Sequence, residues 1–112
     1  MSRVVKLYES PPEIGLGIIS RPLFNRKNVD TVRLNVCEYN AVPPGASTPL
    51  HRHKGDEIYY IVRGNAKIRI GEKDFQVKPG TAVYIPAGVR HNLQAVGTDM
   101  LELFVVTSEV KE

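Results

Sequence analysis

The 112-residue chain reads as an all-β domain, either a sandwich or a barrel. Three observations predict this. Short apolar runs rich in Val, Ile and Tyr recur along the chain, Gly, Pro, Asn and Asp turn signals separate them at regular intervals, and no stretch keeps a helical period of useful length. Together these mark about ten short strands. The length suits one domain with a single core, so residues 1–112 form one unit, of which 1–30 is a loosely patterned leading segment.

In chain order, residues 4–8 predict a short strand that Ser10-Pro11-Pro12 stops, and residues 15–19 predict a second. The densest basic group, RPLFNRK at 21–27, is expected as a solvated loop. Patterning becomes firm at 31–39, where Val32, Leu34 and Val36 alternate with Arg33, Asn35 and Cys37, the mark of a half-buried strand. Cys37 thus opposes the apolar set, and the period leaves open whether its face lines the interior or lies outside. AVPPGAS at 41–47 is a turn. Residues 58–63 and 66–70, joined by Gly64-Asn65, predict a β-hairpin, and Gly71-Glu72 turns the chain into a strand at 73–77. Further strands are expected at 81–85, 89–96 and 100–106, the last two separated by Gly97-Thr98-Asp99.

The chemistry concentrates in residues 45–64, GASTPLHRHKGDEIYYIVRG. On a strand, His51 and His53 project to one side, so two imidazoles can meet one point. The turn-like Lys54-Gly55-Asp56 then reverses the chain into EIYYIVR, and pairing of the two strands would return Glu57 beside the histidines. The third and last histidine, His91, follows the Pro86-Ala87-Gly88 turn and opens a strand. Imidazole and carboxylate suit first-row divalent ions without any thiolate, so His51, His53, Glu57 and His91 are the expected ligands of one metal.

These residues resemble the two motifs of the cupin superfamily. Gly45, His51, His53, Glu57 and Gly64 fit the first without a gap, and Gly80, Pro86, Gly88 and His91 match the second. The second motif's final asparagine falls at Ala95, and Asn92 cannot replace it because a neighbour of His91 faces the other way. The resemblance narrows the fold to a double-stranded β-helix, the small jelly-roll barrel of cupins, with the metal ligands projecting into the barrel. It also implies subunit pairing, so a homodimer is expected. It leaves the reaction open, because this superfamily hosts isomerases, dioxygenases, decarboxylases, lyases, sugar binders and regulatory domains.

Three imidazoles and a carboxylate fill four positions, so an ion that prefers six keeps two for water or a chelating substrate. Manganese, iron, nickel or cobalt would stay open in this way, whereas zinc would be closed as a tetrahedron. With every histidine committed, an acid or base must come from metal-bound water or another side chain. Tyr59, which faces as Glu57 does, and Glu102, a charge inside an apolar strand, are the catalytic candidates, with Tyr39 and Cys37 behind them. Asp56 faces oppositely to Glu57 and reads as a turn residue.

The leading expectation is therefore a metal-dependent enzyme acting on a small oxygen-rich molecule, a sugar acid or keto acid, by isomerisation, decarboxylation or elimination. An iron-dependent dioxygenase and a non-catalytic small-molecule binder or sensor are the alternatives. The net charge of +3, with both signs interspersed, argues against nucleic acid as a partner. The single cysteine excludes an internal disulfide, no apolar run approaches the ~20 residues of a membrane span, and a cytoplasmic protein is expected.

Overall fold

The computed structural model of the chain describes residues 3–15, 17–31 and 33–108. Leu16 and Val32, both within expected strands, lie outside the described residues. Among those described are one 3₁₀ turn, Leu7–Glu9, and nine strands. The strands are β1 (Glu13–Gly15), β2 (Ile18–Asn25), β3 (Leu34–Val42), β4 (Glu57–Arg63), β5 (Asn65–Ile70), β6 (Lys73–Val77), β7 (Ala82–Ile85), β8 (His91–Val96) and β9 (Leu101–Ser108). They form a six-stranded sheet in the order β1-β2-β3-β9-β4-β7 and a three-stranded sheet in the order β6-β5-β8, with every pairing antiparallel.

The core follows from period-two alternation, because a strand that places every second residue inward buries only that set. On β4, Tyr59 and Ile61 are buried while Ile58, Tyr60 and Val62 are exposed; on β9, Leu101, Leu103 and Val105 are buried. Ala66 and Ile68 of β5 and Leu93 and Ala95 of β8 join them from the smaller sheet in one cluster. The sheets thus enclose a common interior, the jelly-roll barrel expected. Ala66 and Ala95 stand directly opposite each other, both fully buried. That small pair fills the place where the second motif carries its asparagine, and Asn92 faces outward opposite Arg69.

Several local expectations are corrected. Residues 4–8 do not form a strand: the chain coils into the 3₁₀ turn at Leu7–Glu9, with Val4 and Tyr8 largely exposed. The expected strand at 15–19 is divided between the ends of β1 and β2. The basic group at 21–27 is mostly strand rather than loop: its residues up to Asn25 belong to β2, and Leu23 among them is buried. Pro22, which has no N–H to donate, sits where the β2–β3 register shifts.

The hairpin expected across Gly64-Asn65 does not form. β4 belongs to the large sheet and β5 to the small one, so Gly64 is a corner between sheets. Its φ of 78° is left-handed, and an added Cβ would lie 2.5 Å from the Met100 carbonyl oxygen, so glycine is required there twice over. The true hairpin is β5–β6, through Gly71-Glu72.

Candidate metal centre

The histidine pair does not lie on a regular strand, nor does its segment pair with β4. Pro43, Pro44 and Pro49 remove backbone donors from the approach, so residues 45–51 run beside β8 through scattered hydrogen bonds. Gly45 and Thr48 donate to Ala95 and Leu93, and His51 and His91 form a reciprocal bridge, with backbone bonds of 2.9 and 2.7 Å. That bridge sets the two imidazoles side by side, 4.4 Å between ring centroids. His53 is held from the other direction, its carbonyl accepting from the Gly88 amide at 2.7 Å. Its ring lies 4.8 Å from His51 and 5.3 Å from His91.

Glu57 enters from β4, the strand between β9 and β7. Asp56 pins this entry: its carboxylate accepts from the Ala87 amide and the Tyr84 hydroxyl, both at 3.0 Å, and its amide donates to Ser108 Oγ. Asp56 is thus a turn residue, as its parity indicated, and it ties the Glu57 strand to the Pro86–Gly88 turn that holds His53.

The ligand atoms of His51, His53 and His91 all lie within 4.8 Å of one another. Glu57 Oε1 is 3.0 Å from His91 Nε2 and Oε2 is 3.6 Å from His53 Nε2. The three histidines thus form a cluster that could hold a metal ion, and Glu57 lies against two of them, His91 and His53. The tautomers agree. His91 Nδ1 meets the Val89 carbonyl at 2.9 Å and His51 Nδ1 meets the Pro49 carbonyl at 2.7 Å. A carbonyl only accepts, so both Nδ1 atoms carry the proton and both neutral rings present a bare Nε2 lone pair.

Glu57 is 4% exposed and His91 1%, yet Oε1 and Nε2 satisfy no hydrogen-bond geometry despite their 3.0 Å separation. Two buried acceptors facing each other are unfavourable unless something positive sits between them, either a proton or a cation. Without a cation the proton takes that place. Burial pushes the His91 imidazole down, but Glu57 and the Val89 carbonyl outweigh it and leave the group raised. Burial likewise pushes Glu57 up, while the adjacent His91 imidazole, the Tyr59 hydroxyl and the nearby His53 ring hold it below its usual value. His53 is lowered, first by burial and then by the neighbouring imidazoles. The donor set fits a divalent first-row ion.

Tyr59 lies at the centre, its ring centroid 6.4 Å from that of His91 and its hydroxyl bonded to Glu57. Burial and the adjacent carboxylate push its hydroxyl well above the usual phenol range, so it keeps its proton. Glu102 is not brought to the histidines. It alternates with buried Leu101 and Leu103, so it faces out of the barrel, where it accepts from Tyr39 at 3.1 Å and pairs with Arg63 at 3.5 Å. There it lines a shallow groove of about 160 Å³ with Tyr8 and Arg21. Cys37 and Tyr39 share this outer face, and burial raises the Cys37 thiol, which leaves it unreactive.

The interior also holds Glu38 and Asn40, which the motifs did not single out. The signal was present, because Val36, Glu38, Asn40 and Val42 continue the apolar parity of β3 into the barrel.

The Cupin domain family model matches residues 39–107. An uncharacterized protein of Methanocaldococcus jannaschii is 33% identical over 88 residues, covering 78% of this chain and 70% of that protein. An oxalate-binding protein of Thermotoga maritima is 36% identical over 66 residues, and the matched part spans 54% of its length. A solved Thermotoga maritima structure, described as a predicted oxalate decarboxylase, superposes with a TM-score of 0.83 at 27% identity, over 94% of this chain and 97% of that one. The polyketide cyclase RemF of Streptomyces resistomycificus shares the fold, with a TM-score of 0.84 at 23% identity, over 96% and 80% of the two chains. None of the described residues forms a helix long and apolar enough to cross a membrane. A barrel of two antiparallel sheets, a cluster of three histidines anchored by buried His91 and the match over residues 39–107 lead to one conclusion: the chain belongs to the cupin domain family.

Proposed function

We propose that this cupin binds one divalent metal ion through His51, His53, Glu57 and His91 and acts on a small oxygen-rich molecule, as an isomerase, decarboxylase or lyase. The observation that carries this reading is the pair of unpartnered buried atoms, Glu57 Oε1 and His91 Nε2, beside two imidazoles whose Nδ1 atoms are already engaged. When bound, the ion supplies Lewis-acid polarisation of a chelated carbonyl or hydroxyl. The chain's own residues do the rest. The Val89 and Pro49 carbonyls fix the tautomers of His91 and His51, Tyr59 orients Glu57 as a proton-holding positioning residue, and the apolar barrel wall limits water.

A second reading is retention of a ligand without turnover, which the Thermotoga maritima relative favours because it is named for binding oxalate. Elemental analysis of the purified protein, followed by product analysis on sugar-acid and keto-acid substrates, decides between the two. Turnover abolished by a chelator and by His51→Ala supports the enzyme; saturable binding with no product supports the binder; turnover that survives both treatments contradicts the metal.

We also propose a homodimer. Ile58, Tyr60, Tyr84 and Phe104 lie on the outer face of the large sheet, each 39–58% exposed. Ile58 stands opposite Tyr84 and Tyr60 opposite Phe104, so the patch is continuous and suits a second copy.

A further inference from the structure

Side chains on one face of a sheet line up in rows across neighbouring strands. In the large sheet one interior row is Glu38, Val105 and Tyr59, and the next is Val36, Thr107 and Glu57. Glu38 therefore shares a face with the metal ligand Glu57, two strands and roughly 10 Å of backbone away. The register places Glu38, Tyr59 and Glu57 on the same barrel-facing side of the sheet, near enough for the Glu38 charge to act on both of the others. Glu38 is only half-buried, which leaves it within reach of a small molecule in the barrel. The Asn40 amide bonds to it and fixes it. Asn40 itself is 6% exposed, and its Oδ1 is a buried acceptor with no partner.

The barrel face beside the quartet thus presents the two oxygens of the half-buried Glu38 carboxylate, acceptors that carry a negative charge and are steadied by Asn40. A molecule that matches them brings hydrogen-bond donors, as a hydroxyl-bearing compound does. A dicarboxylate dianion brings only acceptors and like charge, which costs it binding on both counts. We propose that Glu38, positioned by Asn40, is a ligand-contacting group that selects hydroxyl-bearing molecules over dicarboxylates such as oxalate. This rests on the reading of a divalent ion at the quartet.

The test compares the wild-type protein with Glu38→Gln and Glu38→Asp, each loaded with manganese, by calorimetric titration of two chelating probes, oxalate and neutral dihydroxyacetone. Glu38→Gln should hold manganese as the wild type does and bind oxalate on the order of tenfold more tightly, with dihydroxyacetone several-fold weaker. Glu38→Asp keeps the charge but shortens the reach, so it should still disfavour oxalate while losing dihydroxyacetone; it carries the comparison if the glutamine variant fails to fold. Metal retained with both probes shifted alike, or neither shifted, overturns the role of Glu38 alone. A wild-type protein that binds no manganese overturns the metal reading, and the selectivity falls with it.

Discussion

The inner and outer faces of the large sheet are made from the same strands, yet they break opposite rules. Inside, where apolar side chains belong, β3 and β4 carry Glu38, Asn40 and Glu57 among Ile61, Leu103 and Val105. Outside, where polar side chains belong, they and their neighbours carry Ile58, Tyr60, Tyr84 and Phe104. A buried carboxylate costs several kcal/mol unless it is engaged, and an exposed aromatic patch stays costly until it is covered. Under the proposed function the two faces call for two partners, a small and charged one within and a broad and apolar one without. The outer polar pair, Tyr39 with Glu102, is satisfied already and announces nothing.

The sharpest way to break the contrast is to empty the interior of ligands. His91→Ala removes a ring that is both bridged to His51 and buried against Glu57, and it should weaken metal binding at least 100-fold by calorimetric titration. Retained affinity would sever the centre from the quartet.

Next in size is a pair of adjacent substitutions on β9. Leu103 faces in and is fully buried, so Leu103→Ala should cost about 2–5 kcal/mol in denaturant unfolding. Phe104 faces out, so Phe104→Lys should leave metal stoichiometry unchanged and convert dimer to monomer in analytical ultracentrifugation. Equal losses of stability with unchanged assembly would dissolve the distinction between the faces.

A smaller effect is pH dependence of metal affinity. Binding requires neutral rings, so affinity falls as pH drops through about 8 to 5. His91, raised above its usual value, takes its proton first, and His53, lowered by burial, takes it last. A flat profile in cobalt titrations would contradict imidazole ligation.

The smallest effect concerns the outer pair. Burial, with the hydrogen bond to Glu102, pushes Tyr39 up to about 12. Its folded value lies above the unfolded one of about 10, so this contribution to stability is complete below pH ~10 and is lost as pH rises toward 12. Glu102→Gln should bring tyrosinate absorbance up earlier in an alkaline titration while metal affinity stays unchanged. A change in metal affinity would return Glu102 to the centre.

The histidine cluster was legible because it depends on residue type and spacing, and the chain has only these three imidazoles to bring together. The fold class was legible for a related reason: alternation on β4 and β9 survives whatever the strands pair with. Pairing itself was not legible. Residues 58–63 and 66–70 carry a hairpin's local signal, but Gly64 packed against the Met100 carbonyl sends the chain into a second sheet, and that contact is 36 residues distant in sequence. The approach of His51 was misjudged as strand because hydrogen bonds to β8, also remote in sequence, replace a regular ladder there. Glu102 looked anomalous in an apolar run, yet parity with Leu101 and Leu103 already placed it outside. Glu38 was not legible for the converse reason: it lies between Cys37 and Tyr39 but on the other, barrel-facing side of β3, and no motif spacing marks it.

X-ray absorption at the metal edge of manganese-loaded protein tests the centre most directly. The account predicts one ion per chain with three imidazole nitrogens, one carboxylate oxygen and two further light ligands. A shell without imidazole scattering, or no stoichiometric metal at all, would contradict it.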